Sequence, residues 1–315
     1  MGEIDISVCC ITYNHEKYIA EAIESVLAQK CTYRIEMIIS EDKSPDNTAN
    51  IISSYAEKYP DIIKPIFNKK NLGAQANANQ ALAACKGKYI AVIEGDDKWI
   101  DPYKLQKQAD FMEANPDFTV CFSKAQIEDE LNWEWSYDQF LPVLTREVYT
   151  IQDFILSDKN MIPTATLFFR NCLPTPMPEL YLTTRSGDIV LQLLLTDKGK
   201  ARYFDEAFAL WRNHSGGITK TADHIERYEN SLLKLYADAD KYFNYKYHRT
   251  ILQRQSMIAK SLLIYSGREK KGMERLRHYF KNIPRVFKYS QHISIKEILY
   301  YHILFFAPNI LKLKK

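Results

Sequence analysis

The stretch Tyr89-Ile90-Ala91-Val92-Ile93-Glu94-Gly95-Asp96-Asp97 runs an unbroken apolar segment straight into a cluster of acids. A short apolar run without alternation fits a strand covered on both faces, and charged groups cannot follow it into the core. The acids therefore mark the carboxyl end of a buried strand. Three carboxylates so close together repel one another unless a cation sits among them, and a hard divalent ion such as Mg²⁺ or Mn²⁺ answers that need. A solvated acidic turn is the plainer reading of the same four residues.

Working outward, the same pattern recurs on both sides. Ile6 to Ile11, Ile35 to Ile39, Ile62 to Phe67 and Phe118 to Phe122 read as further strands. Between them, His15 to Gln29, Asn47 to Tyr59, Gln75 to Cys85 and a segment from Pro102 to about Ala114 carry helical spacing, with Asp46 placed to cap the second helix. Strands joined by helices imply an α/β fold whose mostly parallel central sheet carries helices on both faces. In such sheets ligands bind beyond the carboxyl ends of the strands. That rule selects Thr12 to Asn14, Glu41 to Ser44, Asn68 to Gly73 and Glu94 to Asp97.

Past Phe122 the signal is mixed. Glu128 to Thr150 interleaves Trp133, Trp135, Tyr137 and Phe140 with acids and reads as a loop or hairpin over the site. Thr164 to Arg170 looks like a strand, Asp188 to Asp197 a helix and Lys200 to Trp211 one strand or a pair. From Asp223 onward the pattern is helical. The expected division is a catalytic domain over 1–222 and a basic helical region over 223–315.

Charge divides the chain at a similar place. Residues 241–315 hold 17 Lys and Arg against 3 Asp and Glu, while the preceding residues hold 25 against 36. An acidic body with a basic tail points to an anionic partner for the tail. The segment Ile298 to Phe306 and the closing Leu311-Lys312-Leu313-Lys314-Lys315 suit a helix in an anionic membrane surface, or alternatively packing or homo-oligomer contacts. No nucleic-acid recognition motif accompanies the charge. No apolar run reaches the ~20 residues needed to span a bilayer. The N-terminus carries acids where a secretion signal carries bases, and Ile6 stands where myristoylation wants Ser or Thr. The six cysteines form no CxxC pair, so reduced thiols, and a cytoplasmic chain peripheral on the inner membrane face, are expected.

Taken in order, these motifs resemble glycosyltransferase family 2, enzymes of GT-A fold, over about Ile6 to Gly217. The resemblance implies an inverting transferase of the bacterial cell-envelope polysaccharide type, with a divalent metal, a UDP-sugar donor and a glycan or lipid-linked acceptor. Ile11-Thr12-Tyr13-Asn14 is similar to the opening nucleotide loop, which implies that Tyr13 stacks on the base while Thr12 and Asn14 position the nucleotide. Ser40-Glu41-Asp42-Lys43-Ser44 resembles the second acidic motif, with Asp42 on uracil and Glu41 and Ser44 beside it; a carboxylate can accept the ring imide hydrogen. Asn71-Leu72-Gly73 resembles the family's Asn-x-Gly turn near the nucleotide. Glu94 to Asp97 corresponds to the metal motif, giving Asp96 and Asp97 to the metal and Glu94 to the metal or the ribose.

Two later segments complete the likeness. Ser186-Gly187-Asp188 resembles the place of the catalytic base, which makes Asp188 the acceptor of the hydroxyl proton. By itself an acid there is a favourable helix N-terminal charge. Trp211-Arg212-Asn213-His214-Ser215-Gly216-Gly217 resembles the late Arg-x-His loop, implying His214 at the metal and Arg212 on the departing diphosphate. The rival classes are a non-catalytic scaffold of the same fold and a sugar-phosphate nucleotidyltransferase. The latter opens with a glycine-rich phosphate loop, and Thr12-Tyr13-Asn14-His15 contains no glycine.

Overall fold

The computed structural model describes residues 3–131, 141–216, 224–269, 272–289 and 295–306. They fall into two compact units, Met1–Thr219 and Lys220–Lys315. The expected boundary at 222/223 lies outside the described residues, as do Trp133, Trp135, Tyr137, Phe140, Gly217 and Leu311 to Lys315.

The first unit is built on a nine-stranded sheet. Its parallel half comprises β1 (Ile6–Thr12), β2 (Ile35–Glu41), β3 (Ile63–Phe67) and β4 (Tyr89–Glu94) in the order β3-β2-β1-β4. Helices α1 (Ile19–Leu27), α2 (Thr48–Lys58) and α3 (Ala74–Ala84) make the crossovers. The central strands β1, β2 and β4 are rich in apolar residues because both faces are covered, and Ile6, Val8, Cys10, Met37, Ile39, Tyr89, Ala91 and Ile93 share one core with α1 residues Ile19, Ala22, Ile23 and Val26; β3, at the sheet edge, is more exposed. Register aligns the strand ends: Thr12 pairs with Glu41, and Ile11 with Glu94. That alignment delivers three polar loops to one edge.

Beyond β4 the sheet turns mixed. The short β5 (Lys98–Trp99) follows the acid loop, then α4 (Lys104–Ala114), β6 (Phe118–Asp129), β7 (Val148–Tyr149), α5 (Ile151–Leu156) and β8 (Phe168–Arg170). After α6 (Glu179–Thr183) and α7 (Gly187–Thr196) comes β9 (Lys200–Asn213), a single long strand. β8 joins β4 and β6 antiparallel, β6 and β9 run parallel, and β9 pairs antiparallel with β5 and β7. The parallel character read from the sequence thus belongs to the first four strands, joined by crossover helices, and to the β6–β9 pair, with antiparallel strands between and beside them.

Several boundaries moved for local reasons. The first helix begins at Ile19, because His15 to Tyr18 form a turn in which Tyr18 N and Ile19 N both donate to His15 O at 2.9 Å. Asp46 does accept from Thr48 N and Oγ1, at 3.0 and 2.6 Å, while Asn47 holds the cap position. Thr164 to Thr166 are a 3₁₀ turn ahead of β8. Trp211 to Asn213 belong to β9 rather than to a glycine loop.

The second unit comprises α8 (His224–Tyr242), α9 (His248–Glu269), α10 (Gly272–Tyr289) and α11 (Ile295–Phe306). Its core joins Ala259, Leu263, Tyr279, Val286, Tyr301 and Phe305. The apolar run Ile298 to Phe306 therefore spends Tyr301 and Phe305 on intramolecular packing, the alternative to a membrane face for that segment. Among the described residues no helix is long and apolar enough to cross a membrane.

Candidate active site

The acid loop follows β4, and the residues just past the ends of β1 and β9 converge on it. Gly95 is required there: a Cβ on it would stand 2.4 Å from Thr12 Oγ1 and 3.0 Å from His15 Nδ1. With no side chain in the way, Asp96 projects toward two imidazoles. His214 Nε2 lies 3.0 Å and His15 Nε2 3.5 Å from Asp96 Oδ2. One ligand atom from each of His15, Asp96 and His214 falls within 4.8 Å of the others. Two imidazoles and a carboxylate converging from three loops are a donor set that suits a divalent transition ion.

Electrostatics tune the three groups. Burial alone would raise the Asp96 carboxyl, but the His214 hydrogen bond and the neighbouring imidazoles hold it below its usual range. Burial lowers His15, against the pull of Asp96, and so favours the neutral ring a metal needs. Each imidazole is also braced from behind. Thr12 Oγ1 is 3.2 Å from His15 Nδ1, and Gly216 N donates to His214 Nδ1 at 3.3 Å while the Tyr18 ring packs on His214 at 4.8 Å.

Three of the residues expected in the site have partners within the protein. Thr12, expected against the nucleotide, is buried and spends its hydroxyl on His15. Asp97, expected on the metal, is turned inward; its Oδ1 accepts from Arg212 N at 3.1 Å, and burial followed by the Glu94 and Asp96 charges pushes its carboxyl up. Arg212, expected on a phosphate, has all three guanidinium nitrogens engaged: Nε with Glu128 Oε2 at 2.7 Å, Nη1 with Asp96 O at 3.0 Å and Nη2 with Glu21 Oε2 at 2.6 Å. It clamps the acid loop to α1 and β6.

A second cluster forms at the ends of β2 and β3. Asp42 is buried, and its carboxylate accepts from Leu72 N at 2.8 Å, Gly73 N at 2.9 Å and Asn68 Nδ2 at 3.1 Å. It fastens the Asn71-Leu72-Gly73 turn, in which Gly73 takes a φ of 83° and Asn71 Oδ1 also receives Gly73 N. Glu41 folds back onto its own loop, accepting from Ser44 N at 2.5 Å and Lys43 N at 3.2 Å. The two clusters are stitched together, since Asn14 N donates to Ser44 Oγ and His15 N to Thr48 Oγ1, at 2.9 and 3.0 Å. Tyr13, on that seam, is 45% exposed and free to offer its ring face.

On the other side of β4 a cavity of about 330 Å³ is lined by Glu94, Asp188, Arg185, Gln75 and Tyr181 over an apolar floor that includes Val92. Asp188 opens α7, and Asn160 Nδ2 donates to its Oδ2 at 2.6 Å. Asp188 is exposed at the cavity mouth, and desolvation by the surrounding protein raises its carboxyl. Glu94 is pushed up to about 8, by burial first and then by the Asp96 and Asp188 charges. Glu94 thus bridges the metal-capable cluster and the cavity. The sequence reading missed His15, Tyr18, Glu21 and Glu128. His15 had the only readable signal, as the next residue of a strand-end loop already singled out.

The model of the family described as Glycosyl transferase family 2 matches residues 7–173. An uncharacterized protein of Mycobacterium bovis is 30% identical over 85% of this chain and 71% of its own length. The putative teichuronic acid biosynthesis glycosyltransferase TuaG of Bacillus subtilis is 39% identical over 34% of this chain and 41% of its own. Among solved structures, S. aureus TarS 1–349 in complex with UDP-GlcNAc has a TM-score of 0.58 at 15% identity, covering 94% of this chain and 91% of that one. The fold is accordingly that of the GT-A enzymes, and this chain belongs to glycosyl transferase family 2.

Proposed function

We propose that the chain is an inverting, metal-dependent glycosyltransferase that takes a sugar from a UDP-sugar and places it on a hydroxyl of a glycan or lipid-linked acceptor in surface polysaccharide synthesis. The observation that carries this reading is the convergence of His15, Asp96 and His214 beside a cavity that also holds Asp188. The donor set fits a divalent ion, and its two imidazoles favour Mn²⁺ over Mg²⁺, which prefers oxygen alone. When bound, such an ion supplies positive charge against a diphosphate that gains negative charge as the sugar leaves.

The protein's own groups divide the remaining work. Tyr13 offers its face to the base, with Asn14, Ser44, Asn71 and Gly73 shaping the seam beside it. Asp42 sets the floor of that seam, and a carboxylate held by three donors keeps lone pairs for the uracil imide hydrogen. Glu94 faces the cavity where the sugar and ribose meet. Asp188 takes the acceptor hydroxyl proton as that oxygen bonds to the anomeric carbon and the bond to the diphosphate oxygen breaks on the opposite side. Asn160 orients the base. The name of TuaG and the UDP-GlcNAc bound to TarS support the acceptor and donor classes.

Calorimetric titration with UDP, with and without Mn²⁺, tests the reading. Wild type is expected to bind at least about tenfold more tightly with metal, and Asp96→Ala and His15→Ala to lose that gain, since even the loss of a residue that only supports a metal ligand costs about 10–100-fold. UDP binding indifferent to metal in the wild type refutes it.

A further inference from the structure

Helix α10 of the second unit has an outward face that its own core does not use. Tyr279, Val286 and Asn282 are buried, whereas Met273, Phe280 and Phe287 are 70%, 65% and 52% exposed. These three recur every seventh residue, so they line up along the helix. With about 100° per residue, Met273, Phe280, Pro284 and Phe287 fall within an arc of about 60°, and Arg277, Lys281 and Lys288 occupy the adjacent arc of about 40°. All of these side chains are exposed. Large aromatic and thioether groups left in water along one stripe are a loss of hydrophobic free energy that a partner would recover.

The bordering cations choose the partner. From residue 241 onward the chain holds 17 basic against 3 acidic side chains. An apolar stripe edged by Arg and Lys has the two components of an interfacial helix: apolar groups that enter the acyl boundary and cations that meet anionic headgroups. We propose that the α10 face carrying Met273, Phe280 and Phe287 docks on a bilayer surface rich in anionic phospholipid. This differs from the terminal segment singled out by hydropathy, whose Tyr301 and Phe305 are consumed by the core. It stands independently of the nucleotide and metal assignments.

The test is sedimentation of the full chain with vesicles of phosphatidylcholine alone or mixed with phosphatidylglycerol, run beside light scattering of the chain in solution. Wild type is expected to partition at least about tenfold more strongly into the anionic vesicles and to be released as salt rises toward molar concentration. Phe280→Ser with Phe287→Ser should lower partitioning by about tenfold or more with helical content unchanged. Arg277→Glu with Lys288→Glu should abolish the preference for anionic lipid. Wild type that ignores both vesicle types overturns the proposal whatever the variants do. So does a dimer in solution that the phenylalanine variants split into monomers without any vesicle binding, because the face would then belong to a second copy of the chain.

Discussion

Replacing Lys104 by methionine should flatten the pH dependence of the first unit's stability. Lys104 is fully buried in α4, where its Nζ donates to Gln108 Oε1 at 2.8 Å and stands 4.2 Å from the centroid of the Trp99 ring. Burial lowers its ammonium from 10.5 to about 7. In the unfolded chain it stays protonated up to its ordinary value, so between those limits the unfolded state binds more protons and stability rises with pH. The penalty is fully present below about pH 7, where it amounts to about 5 kcal/mol, and is relieved as pH climbs toward the unfolded value. Between about pH 7 and about pH 9 wild type should gain about 2 kcal/mol that Lys104→Met does not. Absolute stabilities are less telling, since the variant strands the Gln108 carbonyl at a cost of about 1–3 kcal/mol. Urea unfolding followed by tryptophan fluorescence is the assay, because Trp99, Trp133, Trp135 and Trp211 all lie before residue 220 and report the first unit alone. Parallel pH profiles for the two proteins would refute the reasoning.

Two further outcomes concern catalysis directly. Asp188 must be ionised to accept a proton, and its raised carboxyl means that the acid limb of kcat/KM should fall off above the pH of an ordinary aspartate; Asp188→Asn should keep UDP affinity and lose transfer, and turnover retained in that variant excludes it as base. Gly95→Ala puts a methyl 2.4 Å from Thr12 Oγ1, so unfolding should show a loss of about 1–3 kcal/mol together with weaker Mn²⁺-dependent UDP binding; a variant equal to wild type in both would show that the loop has slack.

The parallel half of the sheet was legible because its strands are apolar without alternation and its helices carry their own periodicity. The strand-end rule then collected Asn14, Ser44, Asp42, Gly73 and Asp96 onto one edge. What composition could not convey was which way each side chain turns. Asp96 and Asp97 are adjacent acids in the same motif, yet one meets the imidazoles and the other faces the Arg212 amide, a distinction set by the tight packing of Gly95 on Thr12. Arg212 is expected on a phosphate because Trp211 to Gly217 resembles the family's late Arg-x-His loop. Its partners Glu21 and Glu128 lie 191 and 84 residues away, and only folding brings them to it. β5 and β7, of two residues each, are too short for any period to register.

The length of β9 carries a consequence for how this enzyme can change over time. Side chains alternate along a strand, so Arg212 at its end shares a side with Leu210, while Trp211 and Asn213 face the other way. Its ladder with β6 runs from Lys200 to Asn213, with irregular steps already taken up opposite Ser123 and Lys124. Losing or gaining one residue between those steps and the strand's end would send the arginine to the wrong side and shift His214 with it. Insertions and deletions should accordingly be ruinous between Ala207 and His214.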